Sequence, residues 1–273
     1  MIAVFDSGLG GLCALRALRE RLPREDILYF GDTARLPYGD RSKQTLLRFT
    51  RDDLHFLLRF APRAILAACG TVSSVALPRV KDECPVPLYG IVAPTARQAL
   101  QQSRTRRIGV IGTCATVASD AYRLALQALC PDVAVFSLPC PLFVPLIENG
   151  LAQEERIALP LCEHTLAPLR AQRIDTLILG CTHYPLLSHW ITQVLGEVTL
   201  IDAARCGADA LCDSLSDIDG EGGQTRFFVS DDPASFAVRA RPFLGEDAAP
   251  VYLYRHPCGE RHEKRSTLNE IFS

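Results

Sequence analysis

The sequence predicts an α/β protein built from two doubly wound parallel-sheet domains. Three observations carry this expectation. Short apolar runs alternate with helical segments along the chain, the pattern of parallel strands joined by crossover helices. Several of the runs are apolar at every position rather than at alternate ones, as strands covered on both faces require. The chain has 273 residues, which is roughly two domain equivalents at about 150 residues each.

The strands are expected, in order, at Ile2–Phe5, Ile27–Phe30, Ala64–Ala68, Leu88–Ile91, Ile108–Ile111, Val133–Phe136, Leu177–Leu179, Val198–Ile201 and Phe227–Val229. Between them the clearest helix carries Ala118, Tyr122, Ala125, Leu126 and Leu129 on one face. Thr113 or Thr116 can cap its start, and Pro131 follows its end. Leu215–Gln224, reading LSDIDGEGGQ, is the clearest loop or linker. Beyond Leu244 the charged run Arg255–Arg265 reads as a solvated face or a frayed end.

Composition excludes several function classes. Basic and acidic residues, 29 and 31, nearly cancel to a net charge of −2, so no electrostatic case exists for nucleic acid or an anionic membrane as a partner. Apolar runs such as Ala64–Ala68 fall far short of the roughly 18 residues of a membrane span. Met1–Asp6 lacks the basic and long apolar regions of a signal peptide. The expectation is a cytoplasmic protein with reduced thiols. It has 11 cysteines and no Cys-x-x-Cys pair, so neither a disulfide framework nor a metal site is expected. Cys13, Cys84, Cys114, Cys130, Cys140, Cys162, Cys206 and Cys212 are expected to be small packing residues. His55, His164, His189, His256 and His262 stand in helical or tail contexts and read as structural.

Two cysteines stand apart. Ile65-Leu66-Ala67-Ala68-Cys69-Gly70-Thr71 and Leu177-Ile178-Leu179-Gly180-Cys181-Thr182-His183 share one design, an apolar strand running into a thiol followed by small or hydroxyl residues. In open α/β sheets ligands bind beyond the carboxyl ends of strands. The two thiols are therefore either a facing pair, one per domain across a cleft, or buried strand-end cysteines. Asp6-Ser7-Gly8-Leu9-Gly10-Gly11 follows the first strand, but a dinucleotide fingerprint would need glycine where Cys13 stands. What survives is a helix N-terminus open to an anionic group, with Asp6 either functional or a capping carboxylate. His183 lies two residues from Cys181 and can raise its thiolate fraction.

Taken together, these motifs resemble the glutamate racemases. The resemblance rests on Phe5–Gly11, Gly31-Asp32-Thr33-Ala34-Arg35-Leu36-Pro37-Tyr38-Gly39, Ala68–Thr71, Gly109–Thr113, Pro141–Glu148, Leu179–Leu187 and Phe228–Pro233, and spans roughly residues 2–245. It implies two domains, 1–93 plus 207–273 and 94–206, with the active site in the cleft between them. It implies cofactor-independent interconversion of L- and D-glutamate, supplying D-glutamate for peptidoglycan. Cys69 and Cys181 would be the two acid/base groups, Asp6 assisting the first and His183 the second, with Glu148 beside the histidine. Asp6, Ser7, Tyr38, Gly39, Gly70, Thr71, Thr182 and His183 would hold the substrate. The only partners it suggests are that small molecule and a second copy of the chain in a homodimer. Two departures stand out: Gly70 where the family commonly has Asn in Cys-Asn-Thr, and Ala203 where it has Ser after Asp202. Gly70 leaves a related racemase of aspartate or another amino acid open, and a non-catalytic binding protein or a Cys181–His183 hydrolase are the readings from other classes.

Overall fold

The computed structural model describes residues 1–215, 222–245, 248 and 250–256. Among these, ten strands form two α/β units with wholly parallel sheets. The strands are β1 (Ile2–Asp6), β2 (Ile27–Gly31), β3 (Ala64–Ala67), β4 (Leu88–Gly90), β5 (Arg107–Gly112), β6 (Ala134–Pro139), β7 (Thr176–Leu179), β8 (Thr199–Asp202), β9 (Thr225–Val229) and β10 (Val251–Leu253). The first sheet runs β10-β9-β2-β1-β3-β4 and the second β6-β5-β7-β8. Every neighbouring pair is parallel. The helix Ala203–Ser214 leads from β8 back toward the first sheet.

The uniformly apolar runs have the expected cause. In β1 all five residues are buried. Ile2 and Val4 join one core with Leu66, while Ala3 and Phe5 join another with Ile65 and Ala67 on the opposite face. Alternate side chains of a strand point to opposite faces, so a strand covered twice must be apolar throughout. None of the described helices is long and apolar enough to cross a membrane.

Three local expectations change. The helix expected over 118–129 is two helices, Cys114–Ala118 and Ala121–Leu129. Asp120 between them has φ 57°, a left-handed conformation that breaks the run. Thr113 caps the first piece by accepting from the Thr116 N–H at 3.2 Å. Tyr122 and Leu126 are buried, but Leu129 is 52% exposed because the apolar stripe ends before it. β6 starts one residue later than Val133 and continues to Pro139; as an edge strand it tolerates proline. β10 was not expected, since Val251–Leu253 is too short to stand out in sequence. Most of Leu215–Gln224 and of Arg255–Arg265 lies outside the described residues. All the described cysteines are free; Cys13, Cys140, Cys162 and Cys212 are buried as expected, whereas Cys84, Cys114, Cys130 and Cys206 are only half-buried.

Candidate active site

The crossovers fix where a site can form. The chain leaves β1 toward β2 on one side and leaves β3 toward β4 on the other, so the carboxyl ends of β1 and β3 flank the crevice where open parallel sheets bind ligands. Asp6 ends β1, and Cys69 stands just beyond β3. In the second sheet β5 and β7 play the same parts, with Thr113 after β5 and Cys181 just beyond β7. The equivalence reaches the backbone. The Ala68 N–H donates to the Phe5 carbonyl at 2.9 Å, and the Gly180 N–H donates to the Ile111 carbonyl at 2.8 Å. Each donor immediately precedes its thiol.

Both thiols line one cavity of about 300 Å³. The hydroxyl residues Ser7, Thr71 and Thr182 line it too, as do His183 and Glu148. Tyr38, Gly39 and Gly70 complete the set, leaving Asp6 as the one sequence candidate that does not border it. The Cys69 thiol donates to Ser7 Oγ at 3.5 Å. Thr71 Oγ1 and Thr113 Oγ1 lie 2.9 Å apart, bridging the two sheets' loops. The Tyr38 hydroxyl is held by the carboxylates of Asp32 and Asp53, so Tyr38 offers the cavity its backbone and ring rather than a free hydroxyl.

Burial governs the titration of this site. It pushes the Cys69 thiol up to about 11, with the Asp6 carboxylate adding to the rise and the Ser7 hydroxyl opposing it. It pushes the Cys181 thiol well above its ordinary value, against the backbone N–H of His183. The Asp6 carboxyl is also raised by burial, opposed by His183 and by the N–H groups of Gly8 and Gly11. Its Oδ1 accepts from the Gly8 N–H at 2.9 Å, and its Oδ2 accepts from the Thr182 hydroxyl at 3.4 Å. The anion expected at the N-terminus of the helix Leu12–Arg21 is thus the protein's own Asp6. That carboxylate is no simple cap, because the N-cap position is Gly11.

His183 is buried between two partners. Its Nδ1 lies 3.8 Å from Cys181 Sγ, and its Nε2 lies 3.0 Å from Glu148 Oε1. The Arg239 guanidinium donates to the other oxygen of Glu148 at 3.3 Å. Burial would raise the Glu148 carboxyl, but His183 and Arg239 outweigh it and hold the group below its usual range. Glu148 ends the helix Phe143–Glu148; only 16% of its side chain is exposed, so it is not the surface residue its helix-end position would suggest.

Sequence reasoning missed part of the lining. Thr113 stands in the Gly109–Thr113 motif but reads there only as a cap, yet it follows β5 and borders the cavity. Cys114 and Cys140, expected as packing, also border the cavity. Asp32, Asp53 and His256 bring possible ligand atoms within 4.8 Å of one another. The Arg35 guanidinium is already among them, bonded to both carboxylates and 2.7 Å from His256 Nε2, so a cation is built in. A larger groove of about 1140 Å³, bordered by Arg41, Ser74, Tyr89 and Leu124, contains neither thiol of the facing pair.

Known proteins resemble this chain in sequence and in fold. The family model for Asp/Glu/hydantoin racemases matches residues 15–211. The glutamate racemase of Aquifex aeolicus is 42% identical over 249 residues, covering 91% of this chain and 96% of that protein. That of Syntrophus aciditrophicus is 43% identical over 256 residues, covering 92% and 94%. Among solved structures, glutamate racemase isoform RacE1 of Bacillus anthracis superposes with a TM-score of 0.90 at 35% identity, over 94% of this chain and 98% of that one. The Francisella tularensis glutamate racemase, solved in complex with D-glutamate, superposes with a TM-score of 0.86 at 33% identity, over 94% and 97%.

Proposed function

The chain belongs to the Asp/Glu/hydantoin racemase family, and we propose that it is an isomerase interconverting L- and D-glutamate by two-base proton transfer between Cys69 and Cys181. The observation that carries this is the pair of thiols at backbone-equivalent strand ends, bordering one cavity. Racemisation must take the α-proton from one face and return a proton to the other, which two opposed acid/base groups do most simply. One sulfur acts as thiolate while the other is thiol, and they exchange roles with direction. The relatives' glutamate specificity is carried over as part of the proposal, as are a cytoplasmic setting that keeps the thiols reduced and a role in supplying D-glutamate for peptidoglycan. The same reading divides the chain into 1–93 plus 207–273 and 94–206, consistent with strands β1–β4, β9 and β10 sharing one sheet and β5–β8 the other.

The chemistry requires a compromise. A thiol raised by burial yields a stronger base once ionised, better matched to a weakly acidic C–H, but it is rarely ionised at neutral pH. His183 relieves this for Cys181. When Nε2–H donates to Glu148, the Nδ1 lone pair faces the sulfur and can take its proton. Asp6 lies behind the cavity wall; its charge raises the Cys69 thiol further, making that thiolate the stronger base once formed, and its Oδ2 accepts from the Thr182 hydroxyl beside Cys181. No cofactor enters the proposal. Carbanion charge is met by backbone N–H groups and hydroxyls in a site that excludes water.

The test is deuterium uptake at Cα when each glutamate enantiomer is incubated with the pure protein in heavy water. Exchange from both enantiomers, abolished by Cys69→Ala and by Cys181→Ala, is expected. Absence of exchange in the unaltered protein sinks the proposal.

A further inference from the structure

We propose that Gly70 is a positioning residue whose missing side chain lets the Cys69 loop rest directly on the backbone of the Cys181 loop, so that main-chain contact sets the spacing of the two thiols. A Cβ at residue 70 would lie 2.1 Å from the Gly180 carbonyl oxygen, 3.1 Å from its carbon and 3.5 Å from Cys181 Cα. The obstruction is backbone, so no rotamer change relieves it.

Neither loop has room to retreat. Gly180 is itself wedged, since a Cβ there would lie 2.8 Å from the Ile111 carbonyl oxygen and 2.9 Å from the Tyr122 ring. Its N–H is bonded to that same carbonyl. On the opposite side, the Ser73 N–H donates to the Cys69 carbonyl at 2.9 Å, and the Ser73 hydroxyl donates to the Ala67 carbonyl at 2.8 Å. The turn then enters a π-helix over Val72–Ala76, a form often found at functional sites. Two further glycines lie along the same seam. A Cβ on Gly10 would meet Thr182 Oγ1 at 2.2 Å, and one on Gly39 would meet Thr113 Cβ at 2.8 Å. Gly70 differs from these two in facing another main chain rather than a side chain.

Gly70 is not among the glycines with positive φ. A side chain there is compatible with the local backbone, and its effect is purely steric. A Cβ essentially never approaches another heavy atom closer than 3.0 Å, so any Cβ forces the loops apart by roughly 1 Å. The asparagine that the family commonly carries at this position therefore does not fit here. The gap it would fill is occupied by the Gly180 peptide, and restoring it damages rather than improves the enzyme.

This rests on the two-thiol reading of the site, and the experiment separates the two. Gly70→Ala and Gly70→Asn are prepared in the full chain. Each cysteine's alkylation by iodoacetamide is followed by mass spectrometry, and racemisation of glutamate is followed from both enantiomers. Separation of the loops should speed alkylation of Cys69 and Cys181 in both variants, while Cys13, buried elsewhere, should be unaffected. A displacement of about 1 Å costs on the order of 100-fold in rate, and the loss should fall on kcat more than on KM because the sulfurs, not the substrate's carboxylates, are displaced. Unchanged alkylation overturns the proposal, as does a gain in kcat/KM in Gly70→Asn. If Gly70→Ala fails to fold by circular dichroism, the contact belongs to the fold's core and the proposal is equally overturned. If the unaltered protein does not racemise glutamate, the function reading fails, while the alkylation comparison still decides whether Gly70 sets the seam.

Discussion

Glu148→Gln should damage the enzyme more than Glu148→Ala, and the reason lies in the two donors that flank this carboxylate. Its Oε1 faces His183 Nε2 at 3.0 Å and its Oε2 faces the Arg239 guanidinium at 3.3 Å. Removing the side chain leaves the buried His183 Nε2 without its partner, a penalty of about 1–3 kcal/mol, or roughly 5- to 150-fold in rate. Glutamine does something worse. Arginine only donates, so the amide oxygen turns to Arg239 and the NH2 group faces Nε2. The ring must then carry its proton on Nδ1, the atom 3.8 Å from Cys181 Sγ, where a lone pair is needed. In a Ser-His-Asp triad the comparable wrong tautomer costs about 10⁴-fold. The assay is the initial rate of racemisation from L- and from D-glutamate, read by circular dichroism. Enantiomers have equal free energies in an achiral solvent, so kcat/KM must fall by the same factor in both directions. Any asymmetry appears only in kcat and KM separately. Relieving the demand for an acceptor with Arg239→Leu should recover part of the Glu148→Gln loss. A Glu148→Gln enzyme within about fivefold of the original would refute the tautomer argument.

Two stability predictions follow from the same electrostatics. Arg35→Met removes the guanidinium from between Asp32 and Asp53, both fully buried; leaving buried carboxylates uncompensated should cost about 3–5 kcal/mol in urea unfolding, and a loss under about 1 kcal/mol would contradict the assigned pairing. The buried thiols should make the fold alkali-sensitive, since the unfolded Cys69 ionises near 9 while the folded one holds its proton to about 11. Above pH 9 the unfolded chain binds fewer protons, so stability falls as pH rises through that window, by up to about 1.4 kcal/mol per unit per thiol. Urea midpoints that stay flat across the window in the unaltered protein, or that fall as steeply in Cys69→Ala, would count against it.

What was legible in the sequence was whatever a local pattern encodes. Ile2–Phe5 of β1 and Leu177–Leu179 of β7 stand out because double coverage makes the body of a strand uniformly apolar. Cys69 and Cys181 are visible as strand-end thiols because position within a βα unit is a local property. The rest depends on contacts between distant residues. His256 reaches Asp32 across 224 positions, and nothing near either residue announces the partner. Asp6 also accepts from the Thr182 hydroxyl, which is 176 residues away. The break at Asp120 was missed for a different reason, since apolar spacing continues across it on both sides. Gly70 is the sharpest case. In sequence it reads as a lost side chain, whereas in space the Gly180 peptide fills the place.

The two halves of the site are alike in backbone and unlike in side chains, and the proposed reaction needs both properties. The matching amide bonds after β1/β3 and β5/β7 present the thiols from equivalent frames, which suits proton transfer on opposite faces of one carbon. The surroundings differ: Cys181 has an imidazole within reach, itself paired with Glu148, while Cys69 has the Ser7 hydroxyl favouring its thiolate and the Asp6 carboxylate behind the wall opposing it. Such inequality cannot bias the equilibrium between enantiomers. It can set which thiol holds the proton between turnovers and how kcat and KM differ between the two directions. Burial opposes ionisation of both sulfurs, and each half must overcome it by its own means. That is why two unlike sets of partners can serve one symmetric task.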